Sequence, residues 1–269
     1  MFPFHCDNPT YRTAFITWAI IGINVAIFIG FLRMNPYDRE FAVQKRGFIP
    51  ARVGLALKGE SLEVSRKLLV QQNPPHGPIG VAIQKVQLPA SRGAILLSVF
   101  RSMFMHGGWW HLIGNMWFLA LFGPSLEDRL GSIPFLLFYL VGGFIAAACH
   151  WAIDPTSVTP VIGASGAVAA VLGGYAITWP WVRVQTLIFL VFFITIIDVP
   201  ALFVLGAWFL IQLIQGHDQL SLQTTGGVAW WAHVGGFLVG MGMMPLLCLI
   251  IKERKPDVEE ESEEETESV

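Results

Sequence analysis

Three short polar groups in an otherwise apolar chain carry residue types suited to nucleophilic catalysis. The first is Gly163-Ala164-Ser165-Gly166. The second is Ala232-His233-Val234-Gly235-Gly236, with Gly240 one turn further on. The third runs from His106 through Trp109, Trp110 and His111 to Asn115. A serine hydroxyl becomes a nucleophile when a nearby base takes its proton, which makes Ser165 the candidate nucleophile and His233 the candidate base. Pro160 and Gly163 precede the serine and place it near a helix start, where free N–H groups and the positive dipole end favour a developing oxyanion. His111 and Asn115 are four residues apart and share one helix face.

Each group also has a plainer reading. A serine among Gly and Ala is common packing material between membrane helices. His111 and Asn115 beside two tryptophans fit a membrane–water interface. His233 could be incidental to a helix contact. What favours chemistry is the conjunction, because polar side chains inside membrane spans are costly and mark functional sites by default.

The elements that must position these residues are read from composition. The 269 residues are 54% hydrophobic and 13% charged, against about 25% charged in ordinary soluble domains. Apolar runs predict spans near 13–32, 110–127, 134–153, 164–180, 199–216 and 231–251, each close to the ~20 residues needed to cross a bilayer. The expected architecture is all-α: a polytopic six-transmembrane-helix bundle with a long first external loop at 33–108, containing short interfacial helices. The apolar stretch 184–198 admits three readings: a seventh element, a re-entrant segment, or the start of a long fifth helix. A buried, non-spanning segment is favoured, because Asp198 and Pro200 interrupt it. The start of the chain lacks the basic region and small-residue cleavage site of a signal peptide, so the first run reads as a retained helix.

Short loops set the orientation. Arg12, Arg129, Arg183, Lys252, Arg254 and Lys255 fall on one side, and the opposite short loops 154–163 and 217–230 carry no Lys or Arg. Both termini are therefore expected in the cytoplasm, residues 1–12 at one end and an acidic, disordered tail at 252–269 at the other. The 11 basic residues of 33–108 would lie outside, as loops beyond about 60 residues translocate largely regardless of charge. On this topology the second, fourth and sixth spans all begin outside, so His111, Ser165 and His233 share outer-leaflet depth. Two small-residue faces, Gly166/Ala170/Gly174 and Ala232/Gly236/Gly240, would let the fourth and sixth spans approach closely. Cys6, Cys149 and Cys248 have no CxxC spacing and suggest neither a disulfide framework nor a zinc site.

At these residues the chain resembles the rhomboid family of intramembrane serine proteases. The family pattern H-x4-H-x3-N is met by His106, His111 and Asn115, G-x-S-G by Gly163 to Gly166, and A-H-x2-G-x3-G by Ala232 and His233 with Gly236 and Gly240. Phe100-Arg101 resembles an aromatic-Arg pair of the family's first loop, and Glu127-Asp128-Arg129 its E-x-R motif. Together these cover roughly residues 98–251 and the first span by position. The resemblance implies a multi-pass protein of the plasma (inner) membrane. Its mechanism would be a Ser165–His233 dyad acting through an acyl-enzyme, with the oxyanion held by the Ser165 N–H, His111 and Asn115. His106, Gly163, Gly166, Gly236 and Gly240 would support the site. Many bacterial members carry a Tyr four residues after the serine, under the histidine; here that position is Ala169, which leaves open what orients His233.

The implied substrates are single-pass transmembrane proteins in the lipid bilayer. No cofactor, metal or nucleic acid is expected, since no HExxH-like pair of a metalloprotease is present. Two alternatives stay open: a catalytically idle rhomboid-like protein that binds membrane proteins, and a polytopic transporter. His150, Asp154, Asp198, Gln212 and His217 are read as interfacial or structural.

Overall fold

Hydrocarbon offers no hydrogen bonds, so a chain this apolar satisfies its backbone within helices. The computed structural model describes residues 2–71, 79–190, 193–221 and 228–251. Its order is β1 (Phe2–Cys6), α1 (Phe15–Leu32), α2 (Pro36–Arg46), α3 (Ala51–Lys58), β2 (Leu62–Gln71), β3 (Ile79–Leu88), α4 (Arg92–Ser102), α5 (Trp109–Leu130), α6 (Ser132–Ile153), α7 (Ser165–Thr178), β4 (Arg183–Leu190), β5 (Phe193–Pro200), α8 (Ala201–Ser221) and α9 (Trp230–Ile250). Helices stand at each of the six sites where spans are expected. Four of them, α1, α6, α8 and α9, are long and apolar enough by themselves to cross a membrane. The other two fall short for visible reasons: α5 ends in the charged run Glu127-Asp128-Arg129, and α7 has only 14 residues.

The short helix is the centre of the molecule. All ten residues from Ala167 to Ala176 are buried, as expected of a helix that is apolar all round. It packs chiefly on α9 and α6, with α5 on a further side. At 1.5 Å per residue it is about 21 Å long, short of the ~30 Å hydrocarbon thickness.

Two expectations about architecture are corrected. The chain is mostly helical but not all-α, because its described residues include two small antiparallel sheets, β1-β4-β5 and β2-β3. The described residues of the stretch 184–198 belong to the first of these. Its β-branched run Thr195, Ile196, Ile197, Val199 favours strand over helix, and β4 pairs along its length with β5. Only part of it is buried: Val184 and Thr186 are covered, while Ile196, Ile197 and Asp198 are exposed. β1 adds to the same sheet beside β4 and ties the start of the chain to the bundle. Trp117 Nε1 donates to the Pro3 carbonyl at 2.7 Å.

Among its described residues, the segment 33–108 holds α2, α3 and α4, and also the hairpin β2-β3, whose strands pair in continuous register from Leu62/Leu88 to Gln71/Ile79. Its residues also brace the segment before Ser165. Phe48 and Val161 exchange backbone hydrogen bonds at 3.1 and 2.7 Å, Ala51 N–H donates to the Ser157 carbonyl at 2.9 Å, and Gly163 N–H donates to the Ser102 carbonyl at 2.9 Å.

At the opposite end, Glu127 is 2% exposed and accepts hydrogen bonds from the N–H groups of Ile16 and Thr17 and the hydroxyls of Thr17 and Ser132, all at 2.7–2.8 Å. It thus serves the unpaired donors of the first turn of α1. Arg129 donates to the Ile251 carbonyl at 3.2 Å, just past α9. The E-x-R motif therefore binds the first and last of these helices at one end. The proposed acidic tail at 252–269 lies outside the described residues.

Candidate active site

Because α7 begins at Ser165 with no side-chain cap, the N–H groups of its first turn have no intrahelical acceptor. The chain reaches this start through Gly163, whose φ of +126° lies in a region that side chains disfavour. A Cβ at Gly163 would stand 2.6 Å from His111 Nε2 and 3.5 Å from Ser165 Oγ. That missing atom is the space that lets the His111 ring approach the serine.

His233 lies in the first turn of α9. The two helices come close enough because glycines face backbone across the contact. A Cβ at Gly236 would overlap the Gly166 carbonyl, one at Gly240 the Ala170 carbonyl, and one at Gly173 the Phe237 carbonyl. The small-residue face of the fourth span is therefore corrected in one position. Gly174 turns toward Phe138 and Leu126, and Gly173 meets α9 instead.

The close packing leaves Ser165 Oγ 2.7 Å from His233 Nε2. His233 is 8% exposed, and its other nitrogen, Nδ1, is 2.7 Å from Gln212 Oε1. Gln212 Nε2 donates to the Trp208 carbonyl, which turns Oε1 toward the ring. An amide oxygen only accepts, so Nδ1 carries the proton and Nε2 is free to accept from Ser165 Oγ–H. Trp208 and Trp230 flank the imidazole, with ring centroids 6.1 and 5.8 Å away. Gln212, read from the sequence as interfacial or structural, stands at the candidate site, as do Trp208 and Trp230, which sequence reasoning did not single out. Of the three glutamines in α8, Gln212 is the one with a tryptophan one turn before it, and that was the available signal.

His111 and Asn115 lie on one face of α5. Asn115 Nδ2 donates to His106 Nε2 at 3.0 Å, which leaves the second amide hydrogen unassigned. The His106 and His111 rings meet edge to face at 5.0 Å. Burial, with His111 adding to it, lowers the His106 pKa to about 3, which favours the neutral ring that accepts at Nε2. All these groups except His106 open on one cavity of about 430 Å³ between α5, α7, α8 and α9, lined also by Phe118, Val168 and Leu172. A cleft of about 460 Å³ at the opposite end is lined by Glu127 and Ser132, but there the Ser132 hydroxyl is tied to a carboxylate that also holds the first turn of α1, and no histidine lines it.

The structure thus brings together Ser165, His233, His111 and Asn115, with His106 behind them and Gly163, Gly166, Gly236 and Gly240 at the close approaches. It keeps others apart. Asp198 faces Arg183 within the β4-β5 hairpin at 3.9 Å, His217 is exposed beside Asp218, and Asp154 follows the end of α6. Among the described residues, no three His, Cys, Asp or Glu side chains converge as metal ligands.

The sequence matches known proteins over the part of the chain that holds these residues. The sequence profile of the Rhomboid domain matches residues 94–250. Rhomboid protein 1, mitochondrial, of Saccharomyces cerevisiae is 29% identical over 151 residues, covering 54% of this chain and 40% of that protein. Rhomboid-like protein 11, chloroplastic, of Arabidopsis thaliana is 33% identical over 150 residues, covering 54% and 50%. A putative rhomboid protease, YdcA, of Bacillus subtilis is 37% identical over 73 residues, covering 27% and 36%. The chain thus aligns with half or less of each relative's length. The profile match takes in more than half of the chain and contains every motif residue named above, and on that ground the chain belongs to the rhomboid family and is an integral membrane protein.

Proposed function

We propose that this protein is an intramembrane serine endopeptidase that cuts transmembrane segments of single-pass membrane proteins. The observation that carries the reading is the 2.7 Å contact of Ser165 Oγ with His233 Nε2 at the uncapped start of a short central helix. His233 accepts the Ser165 proton as Oγ attacks the scissile carbonyl. The tetrahedral oxyanion is met by the Ser165 N–H, the His111 side chain and the free hydrogen of Asn115, donors each worth roughly 3 kcal/mol where the oxyanion forms. The intermediate collapses to an acyl-enzyme as His233 returns its proton to the leaving amine. Water then adds with His233 again as base, and collapse restores Ser165. Small side chains at the scissile bond follow from the resemblance to the family.

The membrane reading completes this. All six helices α1, α5, α6, α7, α8 and α9 cross the bilayer, in the plasma membrane and with both termini cytoplasmic. The site then opens to the outer aqueous side, from which hydrolytic water arrives. The test is labelling of the folded, detergent-solubilised protein by a fluorophosphonate. Labelling should vanish in Ser165→Ala and fall steeply in His233→Ala, with matching loss of cleavage of a model transmembrane substrate. A folded wild-type protein that neither labels nor cleaves defeats the proposal and leaves an idle relative.

A further inference from the structure

We propose that Gln212 is a positioning residue for His233, holding the imidazole in the tautomer that can accept the Ser165 proton. The inference rests on the protease reading and extends its dyad by one group on a different helix. Three observations carry it. Gln212 is 5% exposed and lies within an apolar span, where an unpaired amide would be costly. Its two ends are both engaged: Nε2 with the Trp208 carbonyl and Oε1 with His233 Nδ1. Finally, the position four residues after Ser165 is Ala169, which packs against Gly236 of α9 and offers no polar group, so the hydrogen bond that the structure shows at His233 Nδ1 comes from α8.

The role has two parts. Before reaction, the Oε1 acceptor keeps the proton on Nδ1 and leaves Nε2 bare for Ser165. During reaction, the ring becomes an imidazolium, and its Nδ1–H···Oε1 bond becomes a bond from a charged donor, which is stronger. A neutral amide does this without fixing a charge in the membrane. The arrangement also makes the dyad depend on α8. If α8 shifts away from α9, His233 loses its partner at Nδ1 and is free to turn from Ser165.

Charge offers a readout that packing alone would not move. The titratable groups facing His233 are His111 from α5 and His150 from α6; α7 brings Ser165 and α8 brings Gln212, both neutral. A carboxylate in place of the amide favours the imidazolium and raises the pKa of His233. Activity needs the neutral ring, so the acid limb of kcat/KM moves to higher pH.

The experiment compares wild type, Gln212→Leu and Gln212→Glu in detergent micelles, measuring fluorophosphonate labelling rate, kcat, KM, the pH profile and the thermal midpoint. Gln212→Leu should slow labelling and lower kcat by about 10- to 100-fold, the scale of one hydrogen bond to a charged group, with KM changed less than about twofold. Gln212→Glu should recover much of the rate at alkaline pH and show the raised acid limb. A folded Gln212→Leu that labels at the wild-type rate, or an unmoved acid limb in an active Gln212→Glu, overturns the assignment and leaves the protease reading intact. Failure of wild type itself to label removes the protease reading, and with it this extension.

Discussion

Ser165 and His233 depend on neighbours that have no reactive atoms. Gly163 is the sharpest case. Its positive φ costs a residue with a Cβ about 1–3 kcal/mol, and the same Cβ would run into His111 Nε2. Gly163→Ala should therefore remove most fluorophosphonate labelling and lower the thermal midpoint, through strain before α7 and displacement of one oxyanion donor. Gly22→Ala on α1, where a Cβ meets nothing within 4 Å, should change neither. Equal labelling in the two variants would show that the His111 position is not set at Gly163. At this scale the sequence was informative through conjunction: a serine beside glycine or a histidine in an apolar helix has a packing use alone, but serine, histidine and the His111/Asn115 face together have few. It read Gln212 as interfacial or structural, because an amide suits an interface, a helix contact or a tautomer lock equally well until its partner is known.

Between elements, the α7–α9 contact decides whether the dyad exists. Side chains alternate in cost along α9 by which way they face. A Cβ at Gly240 would overlap the Ala170 carbonyl, whereas one at Gly242 meets nothing within 4 Å. The same change two residues apart should thus act in opposite directions. Gly240→Ala should destabilise by about 1–3 kcal/mol, the usual cost of overpacking, and weaken labelling by forcing the helices apart. Gly242→Ala should be neutral or slightly stabilising, since alanine is the better helix former. Thermal midpoints and labelling rates in the same detergent check both; a destabilised Gly242→Ala matched by an unaffected Gly240→Ala would contradict the packing described. The glycine pattern was legible as a pair of small faces, yet the choice of Gly173 over Gly174 was not, because adjacent glycines differ in facing by only 100° of helix rotation. The β4-β5 hairpin was missed for a related reason. An apolar run bounded by Pro gives no period that separates strand from buried helix, and its pairing partner β1 is far away in sequence.

For the whole molecule, the long loop and the charge distribution pull in different directions, and the fold suggests how they are reconciled. The basic first loop is a structured cap: its segment 47–51 pairs with the 157–161 stretch, and α4 ends against Gly163. It belongs to the end of the bundle where Ser165 lies. Glu127 and Arg129 gather the start of α1 and the end of α9 at the opposite end, with Arg12 beside Glu127. If those cations face the cytoplasm, the catalytic end and the β2-β3 hairpin face outward. With Cys6, Cys149 and Cys248 replaced by alanine, single cysteines should report this in intact cells. Ser65→Cys on the exposed edge of β2 and Val158→Cys, at a 65% exposed position, should react with a membrane-impermeant maleimide. Tyr11→Cys, at a 63% exposed position, should react only after permeabilisation. The reverse pattern would turn the protein over in the membrane, placing hydrolytic water and the substrate's cut end on the cytoplasmic side while leaving the Ser165–His233 geometry unchanged.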